Sequence, residues 1–196
     1  MSESILDGTG RSYEAKVDET NRLEVRSVSE NGAIEALGAG DHYAITSGSI
    51  TLTAATESGV LYFINDEEYP IFVDRIIINA VDSTGGTVDA ITFRIHKNPT
   101  GMTSGAATDA TQVNTNFGSS NQLAITSEKG AEGATVDGGS TAGSWQIENP
   151  TRMRIIPVRL FIPKGASLGF SVTPPASNTS MAITTAVNAH LIKHDV

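Results

Sequence analysis

Gly165-Ala166-Ser167-Leu168-Gly169 matches the G-x-S-x-G pattern of a serine nucleophile. In a hydrolase that serine sits on a sharp turn between a strand and a helix, and an acid and then a histidine follow later in the chain. Here Phe170 to Thr173 continues as another strand, and Pro174-Pro175 ends it. Asp195 is the only acid after Ser167, and it follows both remaining histidines. The pattern is read as a glycine-assisted β-turn. His190 and His194 are spaced i, i+4. On a helix they could share a metal, whereas on the strand expected here they lie about 13 Å apart. His42 and His96 have no ligand pattern near them and are expected at the surface or in loops. Asp66-Glu67-Glu68 offers oxygens that calcium would accept, but without EF-hand spacing it reads as a solvated loop. Asn178-Thr179-Ser180 fits the glycosylation sequon and is read as a chance match. No phosphate-binding loop, dinucleotide fingerprint or zinc spacing occurs. Cysteine is absent, which removes disulfides, thiolate metal sites and thiol nucleophiles. No catalytic residue, cofactor or metal is therefore expected, and the chain is not read as an enzyme.

The basic residues are more informative. Arg152, Arg154 and Arg159 cluster in and just before one apolar strand, and Arg22 and Arg26 share a face of another. Arginines on strands cover apolar surface with their stems and pair with carboxylates. Two readings stay open at this point: interface ion pairs with an acidic neighbour, or intrachain pairs on a solvated sheet face.

These residues must be carried by β structure. Thr, Ser, Gly, Ala and Asn are abundant, while helix formers and aromatics are sparse. Strands are expected at 43–46, 49–55, 59–65, 70–80, 87–97, 121–126, 143–148, 154–163, 167–173 and 180–193. Ser83-Thr84-Gly85-Gly86 reads as a hairpin turn between the fourth and fifth of them. Residues 98–110 and 127–144 read as long surface loops. Turns about every ten residues indicate an antiparallel sandwich or barrel. Residues 1–40 differ. Tyr13 to Val17 and Arg22 to Val28 alternate apolar and polar residues around a turn, with Leu23 and Val25 among the few large apolar side chains. This stretch reads as an extended N-terminal arm and linker, with a helical turn possible at Ala33 to Leu37, and residues 41–196 read as the β domain.

The 196 residues carry 22 acidic and 13 basic side chains, a formal charge of −9. All of that excess falls within residues 1–70, and the remainder is neutral overall. An acidic chain is a poor match for nucleic acid or anionic membrane. The acidic start, with no apolar run after it, does not read as a secretory signal, and folding in a cytoplasm is expected.

The sequence resembles structural proteins of tailed-phage virions. One segment carrying the resemblance is Asp7-Gly8-Thr9-Gly10, followed by Ala15-Lys16-Val17-Asp18 and Asn21-Arg22-Leu23. The other is Leu160-Phe161-Ile162-Pro163-Lys164-Gly165-Ala166-Ser167-Leu168-Gly169-Phe170, which is similar to the late strands of jelly rolls of the tumour-necrosis-factor-like type. Together they cover about a fifth of the chain. The resemblance implies an all-β, antiparallel jelly-roll sandwich of about eight strands with an N-terminal arm. It also implies a capsid decoration (cement) protein at the virion surface, which binds the major capsid protein as a homotrimer. The expected capsid or inter-subunit contacts are Tyr13, Val17, Arg22, Leu23, Val25, Arg26, Arg154 and Arg159. The alternative is a head-fibre, tail or baseplate receptor-binding module for host glycans, which calls for exposed aromatics in loops.

Overall fold

The computed structural model describes residues 32–82, 88–103, 108–177 and 180–193, with two short strands before them. The chain divides into two compact units, Met1–Asn31 and Gly32–Val196. In the first, β1 (Ile5–Leu6) pairs antiparallel with β2 (Ser12–Tyr13). The remaining sequence signals of that unit, including the Asp7–Gly10 turn and the alternating arm segments, lie outside the described residues.

The second unit begins with helix α1 (Gly32–Ala39), where a loose linker with a helical turn was expected. Gly40 ends it with φ +77°, the left-handed conformation that glycine adopts without a Cβ penalty. Gly40 N donates to Leu37 O and Asp41 N to Ala36 O, the two reverse bonds of a Schellman cap. Ala36 is buried, which ties the helix to the β unit.

Eight strands of seven or more residues build the sandwich. They are β3 (His42–Leu52), β4 (Ser58–Asn65), β5 (Ile71–Asp82) and β6 (Ile91–Lys97), then β12 (Ser140–Ile147), β13 (Arg154–Ile162), β14 (Ser167–Thr173) and β15 (Met181–Leu191). Between the two groups lie β7 (Gly101–Thr103), β8 (Thr108–Asp109), β9 (Thr111–Asn114), β10 (Ile125–Lys129) and β11 (Thr135–Asp137). One sheet has the order β13-β5-β15-β3-β9, the other β12-β6-β14-β4-β10-β8. The long-strand pairs are all antiparallel: β3 with β15, β4 with β14, β5 with β13, and β6 with β12. The first half of the chain thus runs against the second half in reverse order.

The core follows from side-chain alternation. Along β5 and β15, buried and half-buried residues alternate for most of their length, as strands with one covered face require. The inner faces meet in one cluster that includes Phe63, Phe93 and Phe170. The rings of Phe93 and Phe170 stack at 5.8 Å between centroids. β4 and β14 are buried on both faces instead. Their outer side lies beneath the β7–β11 ribbon, where Met102 and Ala134 pack on Tyr62. A Cβ at Gly169 would stand 2.8 Å from Val136 Cγ1, so glycine is what lets the ribbon approach.

Several expectations need correction. The strands expected at 43–46 and 49–55 are one strand, β3, which crosses a register irregularity opposite Thr184 and Ala186. The strand expected at 121–126 is β10, four residues further on, because Asn121 is held by loop hydrogen bonds to Ser119 and Gly40. The strand expected from residue 87 begins at Ile91. β5 and β6 do not form a hairpin, since they belong to different sheets; residues 83–87 lie outside the described set. The supposed loops 98–110 and 127–144 contain β7, β8, β11 and parts of β10 and β12. Short polar strands at an edge lack the apolar alternation by which strands are recognised.

Replacing Phe170 with Ala removes a wholly buried ring from the stack. Unfolding free energy from urea titration should fall by about 3–5 kcal/mol, and a loss below 1 kcal/mol would contradict the shared aromatic core.

Candidate interaction surface

β8 and β9 are separated by Ala110 alone yet belong to different sheets. They mark one flank of the sandwich, and β12 and β13 mark the opposite flank. At that second flank the core is not closed. Ile156, Val158 and Leu160 of β13 face the core but are only partly buried. Trp145 of β12 leans on the core ring of Phe93 at 6.4 Å and remains 38% exposed. The outward side of β13 is apolar as well, with Ile155 49% and Phe161 56% exposed, and Met153 is exposed just before the strand. An edge strand apolar on both sides is unusual for a surface that meets only water.

The edge is protected against strand addition. Pro157 has no N–H, and the pairing of β13 with β5 shifts between Pro157 and Leu160. A neighbour would therefore meet this flank through side chains and not by extending the sheet.

Arg154 and Arg159 sit on this strand, both exposed, and Arg152 lies exposed in the turn before it. Arg154 donates to the carbonyl of Glu148 at 2.8 Å. Among the described residues, none of these three arginines has a carboxylate at ion-pairing distance. The intrachain-pairing reading thus has no partner here. Of the other expected contacts, Tyr13 lies in β2 with its backbone paired to Ile5. Val17, Arg22, Leu23, Val25 and Arg26 lie outside the described residues. Sequence reading did not place Trp145, Ile155 or Phe161 at a contact surface. The signal was present: apart from Arg159, Ile155 to Ile162 is apolar at both odd and even positions, although an antiparallel strand normally shows one polar face.

Two histidines need correction. His42 and His96 lie on strands, partly buried, where each finds a carboxylate: His42 that of Asp74 on β5, across β15, and His96 that of Glu57 just before β4. On the six-stranded sheet, His96 Nε2 is 2.8 Å from Ser171 Oγ, and Ser171 donates to Glu57 Oε1 at 2.5 Å. Glu57 also pairs with Arg94. This is not a relay. Ser171 and Glu57 both face the same ring nitrogen, Nε2, at 2.8 and 3.7 Å, whereas a triad sets the serine and the acid on opposite nitrogens of the imidazole. Ser171 is also buried. Ser167, the residue of the G-x-S-x-G pattern, donates to Pro99 O at 2.5 Å, and a strand follows it. On the five-stranded sheet, His190 Nδ1 is 2.9 Å and His42 Nε2 3.6 Å from Asp74 Oδ2. The two imidazoles stack at 6.2 Å. His194 lies outside the described residues. Among the described residues, no group of three His, Cys, Asp or Glu side chains could hold a metal ion. Asp66 and Glu67 are held in their loop, accepting from Thr126 Oγ1 at 2.8 Å and Ala124 N at 2.6 Å. Among the described residues, no helix is long and apolar enough to cross a membrane.

Burial lowers the pKa of His42 and of His96, and the neighbouring carboxylates Asp74 and Glu57 only partly offset it. Burial alone would raise Glu57, but the hydrogen bond from Ser171 and the Arg94 guanidinium outweigh it and hold the carboxyl below its ordinary range. The unfolded chain takes up protons on these histidines at a higher pH than the folded one. Stability should therefore fall as pH drops below 6.5, the ordinary histidine value. A further loss should begin below 4.5, where Glu57 protonates in the unfolded chain. Urea midpoints measured from pH 8 to pH 4 check this, and the double variant His42→Asn/His96→Asn should flatten the slope between pH 7 and pH 5.

Compared with known proteins, the chain matches no protein-family model and no curated protein sequence.

Proposed function

We propose that the chain is a non-enzymatic structural protein of a tailed-phage virion, a decoration protein that binds the outer head surface as a homotrimer and stabilises the shell. The observation that carries this reading is the open apolar flank of β12 and β13. A sandwich that leaves core-facing Ile156, Val158 and Leu160 half-covered, beside arginines with no carboxylate partner among the described residues, is built to be completed by a neighbour. The polar clusters point the same way. Ser171, Glu57 and Arg94 satisfy one another, which suits rigidity better than turnover.

The jelly-roll form of the sandwich is supported by the strand pairing. Four pairs, β3–β15, β4–β14, β5–β13 and β6–β12, are what results when one long antiparallel ribbon is wound into two sheets. Such a body keeps most strand edges satisfied and can stand exposed on a particle without edge aggregation. Residues 1–31, with Tyr13, Val17, Arg22, Leu23, Val25 and Arg26, are assigned to contact with the major capsid protein. Repetition of the contact around a symmetric oligomer strengthens it through avidity.

The receptor-binding alternative is favoured by one feature, Phe117, which stands 99% exposed in the loop after β9.

Two measurements test the reading. Sedimentation equilibrium should give three times the 20.5 kDa chain mass. Purified protein should bind phage shells stripped of decoration protein, and deletion of residues 1–30 should leave the oligomer intact but abolish that binding. Normal shell binding by the truncated form would sink the assignment of the arm. Strong, specific signals on a glycan array with no shell binding would favour the alternative.

A further inference from the structure

The flank opposite β12 and β13 carries a feature that the fold does not need. From Ala110 to Ser127 the chain has no charged side chain. Within this stretch the loop after β9 is braced by its own amides. Asn114 Oδ1 accepts from Asn116 N at 2.9 Å, Asn116 Oδ1 from Gly118 N at 3.0 Å, and Ser119 Oγ from Asn121 N at 3.1 Å. The same two asparagine amides fasten the loop to carbonyls at the end of α1: Asn114 Nδ2 donates to Gly40 O at 2.7 Å and Asn116 Nδ2 to Leu37 O at 2.8 Å. At the tip of this rigid loop stands Phe117, 99% exposed. A held aromatic in water forgoes about 1.5–3 kcal/mol of burial, and a preorganised loop loses little entropy when it docks.

The two flanks are complementary in apolar character and in charge. One offers an apolar knob; the other offers the half-covered mouth of the core, where Trp145 of β12 and Ile156, Val158 and Leu160 of β13 are only partly covered. At the end of the loop that carries the knob lie the carboxylates of the β4–β5 loop, Asp66 and Glu67, bonded to residues 124–126. Beside the mouth lie Arg152, Arg154 and Arg159, with no carboxylate partner among the described residues. The knob follows β9 and the mouth borders β13, the two opposite edges of one sheet. A contact between unlike flanks is head-to-tail, and it closes into a ring when the rotation between copies divides a full turn.

We infer that copies of this chain associate head to tail, the Phe117 loop of one copy seating in the open β12–β13 flank of the next. This deepens the homo-oligomer reading above and rests on it. Phe117 covers the half-buried apolar residues, and the acidic loop meets the arginines, which sets orientation more than affinity. The charge-free collar around Phe117 lets the knob enter without stranding an ion.

Sedimentation of the full chain and three mutant samples tests the contact. Phe117→Asp removes the knob, and Arg154→Glu/Arg159→Glu reverses the charge at the mouth; all three positions are exposed, so circular dichroism should stay native. Each variant alone should weaken association at least about tenfold and sediment as monomer where the wild type is oligomeric. An equal mixture of the two variants retains one sound knob and one sound mouth, and should stop at the dimer. A wild-type oligomer unchanged by Phe117→Asp overturns this contact and leaves the homo-oligomer reading standing. A wild type that is monomeric at its highest soluble concentration overturns both. An unchanged oligomer whose binding to a panel of neutral oligosaccharides disappears with Phe117→Asp also overturns the contact, and assigns the loop to glycan recognition.

Discussion

The two sheets share a single core, and β15 closes it by pairing with β3 on one side and β5 on the other. The last long strand of the chain therefore completes a sheet begun by the first. Neither sheet can bury its inner face before these distant segments meet. Loop closure over such separations costs entropy before any contact repays it. The return comes from the inner faces, where Phe63, Phe93 and Phe170 and the β-branched residues of β5 and β15 leave water together. Local features then follow from that closure. The β7–β11 ribbon has a platform to lie on, and α1 has a surface for Ala36.

Polar groups respect the same constraint. Asn65 is wholly buried at the end of β4, and its side chain donates to Tyr69 O and Ile162 O while accepting from Glu67 N. One amide thus saturates itself and ties the β4–β5 loop to the end of β13. The histidine clusters work similarly, each imidazole set against a carboxylate from another strand or loop. Groups so thoroughly occupied with one another stiffen the sandwich. Exposed apolar side chains and arginines with no carboxylate partner among the described residues gather instead at β12 and β13, and Phe117 stands beyond β9.

Much of the architecture was legible locally. The alternation in 70–80 and 180–193 and the glycine and proline breaks at 163–166 and 174–175 marked β5, β13, β14 and β15 nearly to the residue. What failed were elements whose strand character comes from partners. β11 has little apolar content and exists because Thr135 to Asp137 pairs with Gly101 to Thr103. The hairpin expected at 83–86 failed for the converse reason. Two good strands flank a good turn signal, yet burial is better served by placing them in opposite sheets.

The sequence by itself determined the class of fold, the absence of thiol chemistry, the uneven charge and the presence of arginines on an apolar strand. Composition and period are enough for these, because they depend on residues near one another in the chain. Only the tertiary structure decided that Arg154 and Arg159 lie on an open edge with no carboxylate partner among the described residues, that His42 and His96 are paired and half-buried, and that Phe117 stands clear of the surface. Exposure and pairing are relations between segments tens of residues apart. They come into being only when β15 closes the sheet and the flanks become flanks.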